Sequence, residues 1–158
     1  MGSGAILNEV IKAREILEDK YKVAADVYSV TSYKELYYDA LQTDRHNMLN
    51  LDEPKKNYLE ETLAGAGKVF VAASDYVKAV PLSVGKWLDG RYIVLGTDGY
   101  GRSDGREQLR DFFEIDARYI VLAALYGLMQ EKAVTAETVK KAVKDLKIDI
   151  NKLNPLIS

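Results

Sequence analysis

The chain has 158 residues, within the roughly 100–200 of a single domain, so one unit spanning residues 1–158 is expected and a second full domain does not fit. Hydrophobic residues are 47% and charged residues 29% of the total, which excludes disorder and leaves enough apolar surface for a core. A net charge of −2 gathers no polyanions, which excludes nucleic acid as an expected partner.

There is no Cys and only one His, His46, so neither a thiolate site nor a multi-histidine metal centre is expected. No apolar run approaches the ~20 residues that span a bilayer, and Met1-Gly2-Ser3-Gly4 lacks the basic and apolar regions of a secretory leader. The expectation is a cytoplasmic protein without membrane contact.

Along the chain, helical and strand-like patterns alternate, which points to an α/β fold. Ile6, Val10, Ala13 and Leu17 share one helical face, so a helix is expected over Ala5 to Tyr21. Val23 to Val30 is rich in Val and Tyr with one charge, Asp26, and reads as a strand mostly covered on both faces. Ser32 and Glu35 have the spacing of a capping box, opening a helix from Tyr33 to about Leu41. Asp44 to Lys56 contains Pro54 and no clear period, and reads as a long ordered loop.

Tyr58 to Leu63 suggests one or two helical turns ended by Gly65 and Gly67. Lys68 to Ser74 is a continuous apolar strand. Asp75 suits the cap of the next helix, which Pro81 must kink or restart, with Trp87 on the second piece. Arg91 to Leu95 is the third strand. Asp104 with Glu107 suits the cap of a helix to Phe113, Asp116 that of an apolar helix to about Lys132, and Thr135 that of an amphipathic helix to about Leu146. The tail after Ile148 is expected to be irregular.

The most distinctive stretch is Gly96-Thr97-Asp98-Gly99-Tyr100-Gly101-Arg102-Ser103-Asp104. Its glycines leave amide hydrogens uncovered before a helix, and Arg102 and Arg106 add positive charge, so the turn is a candidate anion-binding or interdomain-contact loop. Its spacing is neither the dinucleotide fingerprint nor the phosphate loop. A tight strand-to-helix turn with local Arg and Asp pairs explains the same residues. His46 has no nucleophile in a recognisable setting, and a packed or solvated histidine is the simpler expectation. Asp52 and Glu53 are adjacent and suit a solvated corner. Tyr33, Tyr37, Tyr38 and Tyr58, with the apolar helix Tyr119 to Met129, suit either an interaction surface or a core.

Gly2-Ser3-Gly4-Ala5-Ile6-Leu7, Asp26-Val27-Tyr28-Ser29-Val30-Thr31-Ser32, Arg45-His46-Asn47-Met48-Leu49 and Leu95 to Asp104, with Asn154-Pro155 near the end, together resemble one family. It is the C-terminal domain of the homodimeric pyruvate dehydrogenase first component, in the transketolase-like superfamily. The resemblance implies a three-layer α/β/α domain with a mostly parallel sheet, and a role as a structural, dimer-supporting part of a larger cytoplasmic enzyme. That parent decarboxylates pyruvate on thiamine diphosphate with magnesium. It then passes the acetyl unit to the lipoyl arm of the dihydrolipoyl acetyltransferase component.

The resemblance also implies that the preceding domains hold the cofactor. The Gly-Asp-Gly and distant Asn-Asn pair of the metal-diphosphate motif do not occur here, so no catalytic, cofactor-binding or metal-binding residue is expected in this chain. The alternative is an independent α/β module that captures an anion at Gly96 to Asp104. Two departures stand out. His46 replaces a usual Trp, and the family's strand before Gly2 is expected to be missing from the sheet. Three parallel strands are expected to remain, with reduced stability, because each unpaired buried amide or carbonyl costs ~1–3 kcal/mol.

Overall fold

The computed structural model describes all residues, Met1–Ser158. A 3-10 turn, Gly4–Ile6, leads into helix α1, Leu7–Tyr21. Val10, Ala13 and Leu17 are buried on one face of α1, as the spacing requires. Lys22, at φ 57°, turns the chain out of the helix.

Helix α2 runs Tyr33–Leu49, well past the expected end near Leu41, so the expected loop from Asp44 is helical in its first half. Nothing between Leu41 and Leu49 breaks a helix, and Asn50 closes it by donating from Nδ2 to the His46 carbonyl at 2.9 Å. Ser32 Oγ accepts from the Glu35 amide at 3.2 Å. The reciprocal capping box forms instead at helix α3, Tyr58–Thr62, between Asn57 and Glu60.

Strand β1, Val69–Ala73, and strand β2, Arg91–Leu95, pair in parallel, with Val69 opposite Arg91 and Ala73 opposite Leu95. Between them lie the short helix α4, Ala79–Leu82, and a 3-10 turn, Gly85–Trp87. Pro81 falls within the single turn of α4, where its missing donor costs little. Asp75 caps nothing there. Helix α5 is Arg106–Phe112 and its N-cap is Gly105, not Asp104. Helix α6, Ala117–Gln130, is capped by Asp116, and helix α7, Ala136–Asp145, by Thr135.

The expected third strand is corrected. Val23 to Val30 runs beside the sheet without forming a regular strand, and its one ladder contact joins Ser29 to Gly2. Gly2 also bridges Ala73 of β1, so the first three residues lie between β1 and the Val23 to Val30 segment. A ladder over the whole segment would need a longer neighbour in that position. Its burial alternates, with Val23, Ala25 and Val27 half-buried and Ala24 and Asp26 exposed, so it is not covered on both faces.

The layers follow the strand alternation. Ala73, with Val71 and Leu95 packed alongside, belongs to the core beneath α1, α6 and α7, which includes Ile6, Val10, Ile115, Val121 and Leu125. Phe70 and Ala72 belong to a second core with Val30, Tyr33, Leu59 and Val84 on the opposite face. The result is a three-layer α/β/α arrangement around a small parallel sheet. Gly127 lets α6 lie close to the strands, because a Cβ there would sit 2.6 Å from Val69 Cγ1. No helix is long and apolar enough to cross a membrane.

Candidate functional site

The turn from Gly96 to Arg106 joins β2 to α5. Its first residues are tied down locally: the Thr97 N–H donates to the Tyr76 carbonyl at 3.0 Å, and the Asp98 side-chain Oδ1 accepts from the Lys78 N–H at 3.0 Å. Asp98 Oδ2 also lies 3.8 Å from Lys78 Nζ. A Cβ at Gly96 would sit 2.5 Å from the Tyr76 carbonyl oxygen. Gly99, at φ 99°, packs against the backbone of Pro155 and Leu156, so the C-terminal tail covers this part of the turn.

Gly101, Ser103, Gly105 and Arg106 are exposed. Tyr100 is 77% exposed. The exposed Arg102 guanidinium stacks 4.9 Å from the Phe112 ring, which in turn meets Phe113 edge-on at 5.0 Å. Asp104 Oδ1 accepts from the Gly105 N–H at 2.6 Å. The turn thus presents Tyr100, Arg102 and Arg106 outward while its glycines and aspartates hold the backbone.

Beneath α5 lies a polar cluster that sequence reasoning missed. Glu9, only 6% exposed, accepts from Arg110 at 2.9 Å and Lys12 at 3.0 Å on one oxygen, and from the Ala117 N–H at 3.2 Å on the other. Burial alone would raise its carboxyl. The hydrogen bonds from Lys12 and the Ala117 amide, with the charges of Lys12 and Arg110, outweigh burial and hold it below the usual 4.5. Arg118 pairs with Asp116 at 2.6 Å and with Asp111. These residues line a polar cavity of about 450 Å³. All its cations already have carboxylate partners, so the arrangement is a lock rather than an anion receptor. Glu9 sits 101 residues from Arg110, a separation at which local patterning gives no signal.

His46 is half-buried on α2, with Nε2 3.0 Å from the Glu53 carbonyl and Nδ1 3.4 Å from Asn50 Nδ2. It fastens the chain that follows α2, and no nucleophilic side chain is bonded to it. Asp52 and Glu53 are exposed. Asp44 accepts from Lys86 at 2.6 Å and the Trp87 indole at 3.0 Å, and the hydrogen bonds from Lys86 and Trp87 lower its pKa.

The tyrosines divide between the two expected roles. Tyr33 is buried, edge-on to Tyr76 at 6.5 Å, and Tyr37 packs on Trp87 at 5.9 Å. Tyr38 and Tyr58 are exposed. Tyr38, Leu41 and Met48 recur at helical spacing and continue into Leu49, all exposed, with Met48 at 71%. They form an apolar stripe on α2. Most of the Tyr119 to Met129 helix serves the core: Tyr119, Ile120, Val121, Ala123 and Leu125 are buried in α6, which packs on the sheet, α1 and α7, while Leu122 and Met129 are half-buried and Tyr126 is exposed.

The donor set for a magnesium-diphosphate group does not fit here. No three acidic or histidine side chains converge on one point, and the paired carboxylates Asp111 and Asp116 are both occupied by Arg118. No chemical step is assigned to these residues.

Comparison with known proteins is consistent with this geometry. A family model described as the transketolase-like TK C-terminal domain matches residues 1–116. The chain is 42% identical over 158 residues to the pyruvate dehydrogenase E1 component of Pseudomonas aeruginosa, covering 99% of this chain and 18% of the relative. The corresponding component of Escherichia coli K12 is 42% identical over 160 residues, covering 100% of this chain and 18% of the relative. That of Haemophilus influenzae is 39% identical over 158 residues, covering 99% and 18%. The chain spans about a fifth of the length of these relatives.

Proposed function

Because the chain belongs to the transketolase-like C-terminal domain family, we propose that it is the non-catalytic bracing domain of a pyruvate dehydrogenase E1-type enzyme. In that role it supports a homodimer in the cytoplasm and contacts the preceding domains. Those domains hold thiamine diphosphate and magnesium, act on pyruvate, and deliver the acetyl group to a dihydrolipoyl acetyltransferase. The identity over nearly the whole chain to three E1 components supports the assignment.

The observation that carries the bracing role is the contrast between what is paired and what is exposed. The charged cluster around Glu9 is internally satisfied, whereas the apolar stripe of Tyr38, Leu41, Met48 and Leu49 is open to solvent. An exposed apolar stripe beside a charged cluster that is already paired fits a protein partner better than a small polar ligand. The outward Tyr100, Arg102 and Arg106 extend the contact from the Gly96 to Asp104 turn to companion domains.

The test is complementation. The Pseudomonas aeruginosa E1 component, deprived of the region this chain matches, is mixed with the 158-residue chain, and assembly and pyruvate decarboxylation are followed. Restored assembly by the native chain, lost with Met48→Lys, is expected. Equal assembly with Met48→Lys contradicts the stripe as the contact. Titration of the chain alone with thiamine diphosphate and magnesium, and separately with phosphate, is expected to give no saturable heat. A saturable phosphate curve abolished by Arg102→Ala would favour the anion-binding module instead.

A further inference from the structure

Helix α5 is the one helix of the fold that buries no residue. Its apolar side chains Leu109 and Phe112 are half-buried and belong to neither core, and no side chain caps its first turn. The turn before it is exposed from Gly99 through Gln108. Arg102 lies over the Phe112 ring at 4.9 Å, which joins that turn to the far end of the helix, so the two form one body.

Charge attaches this body to the rest of the fold. Arg110 donates to Glu9 at 2.9 Å, and Asp111 pairs with Arg118. The third attachment comes from the C-terminal tail. The Lys152 ammonium, on a side chain only 18% exposed, donates to the Asp111 carbonyl and, at 3.2 Å, to the Phe112 carbonyl. It thus closes the C-terminal end of α5, where free carbonyls favour a cation. The polar cavity of about 450 Å³ runs along this seam, lined from α5 by Glu107, Gln108, Arg110 and Asp111.

Each group beneath α5 also has a second partner of its own. Glu9 keeps Lys12 and the Ala117 N–H, Arg118 keeps Asp116 at 2.6 Å, and Lys152 keeps Glu114 at 3.6 Å and the Tyr119 ring at 4.6 Å. Lifting α5 therefore leaves no buried charge alone, which is the usual cost of parting such pairs. The body is bounded by two residues at positive φ, Gly99 at 99° and Glu114 at 61°. Gly99 rests on the backbone of Pro155 and Leu156. Beyond Glu114, Ile115 is fixed in the core.

We propose that Tyr100 to Phe112 is a lid hinged at Gly99 and Glu114 and held shut by charge, with the Lys152 ammonium as its latch. The exposed Tyr100, Arg102 and Arg106 ride on it, so the tail governs where that outward group stands. Lys152 is a positioning residue here. The lid goes beyond the bracing role and does not rest on it, since it needs no companion domain.

The experiment is amide hydrogen exchange on the 158-residue chain, native and Lys152→Met, at low and rising urea. It compares Leu109 and Phe113, whose N–H groups bond to Gly105 and Leu109, with Val121 and Leu125 inside α6. In the native chain the first pair should exchange through a local opening that hardly depends on urea, and the second through unfolding that depends on it steeply. Lys152→Met should speed Leu109 and Phe113 about tenfold, the loss of one charge-assisted hydrogen bond, and leave Val121 and Leu125 unchanged. The same steep urea dependence for both pairs in the native chain overturns the lid. Unchanged exchange of Leu109 and Phe113 in the variant overturns the latch. Faster exchange of both pairs alike, or a variant that does not fold, makes Lys152 a support of the whole fold and also overturns it.

Discussion

The two edges of β1 are unlike. Toward β2 five residues pair in unbroken parallel register, while toward Val23 to Val30 the ladder holds only through Met1 to Ser3. Helix α6 covers one face of the sheet, with Gly127 against Val69 and Ile93, and it is tied to α1 by Glu9 through the Ala117 N–H. With one edge of β1 only briefly paired, helix packing and one buried carboxylate are left to tie the layers together.

Substitutions on each side sharpen that contrast. Glu9→Ala should be the most damaging, costing about 3 kcal/mol in chemical unfolding, because it strips Arg110 and the Ala117 N–H of a buried partner. Equal stability with and without Glu9 would show that the helices hold the layers unaided. Glu9→Gln separates charge from shape. Since the native fold lowers the Glu9 pKa, its contribution is fully present above the ordinary value of 4.5 and is lost as pH falls through the depressed folded value. The stability of the native chain should therefore fall more steeply over that acid range than the variant's, and parallel pH profiles would contradict the assignment.

Gly127→Val should cost about 2 kcal/mol by driving α6 away from β1, measured as a lowered unfolding midpoint. Asp116→Ala, which removes the acceptor of the Arg118 and Tyr119 amides, should cost at least about 1 kcal/mol, with further loss from the Arg118 pair. Val27→Thr, on the open edge, should cost less than these. A Val27→Thr effect as large as that of Gly127→Val would mean that the Val23 to Val30 segment carries as much of the fold as the packing of α6 on the sheet.

Much of this architecture was readable in the sequence because local chemistry dictates it. Ser32, Asp116 and Thr135 cap the helices that they precede, and the apolar runs at β1 and β2 are strands. The errors arose where a distant partner decides. Val23 to Val30 has strand composition, but a ladder also needs a neighbour, and only Gly2 reaches it. Helix α2 outruns the apolar period that marks its start, because Asp44 to Asn47 is polar yet contains no breaker. Its polar side chains serve long-range partners, with Asp44 bonded to Lys86 and Trp87.

At the candidate site, the glycines of the Gly96 to Asp104 turn were legible as backbone devices, and Gly96 and Gly99 meet Tyr76 and Pro155 closely. Their tight neighbours were not legible, since Pro155 comes from the far end of the chain. The same limit hid Glu9, whose surroundings in α1 look like an ordinary charged face until Arg110 and Ala117 are brought to it.

Amide hydrogen exchange along β1 tests the asymmetry most directly. Phe70, Ala72 and Ser74, directed toward β2, should exchange slowly, and Ala73, bonded to Met1, should also be protected. Val69 and Val71, whose N–H groups face away from β2, should exchange markedly faster. Equal protection at all six positions would contradict the difference between the two edges.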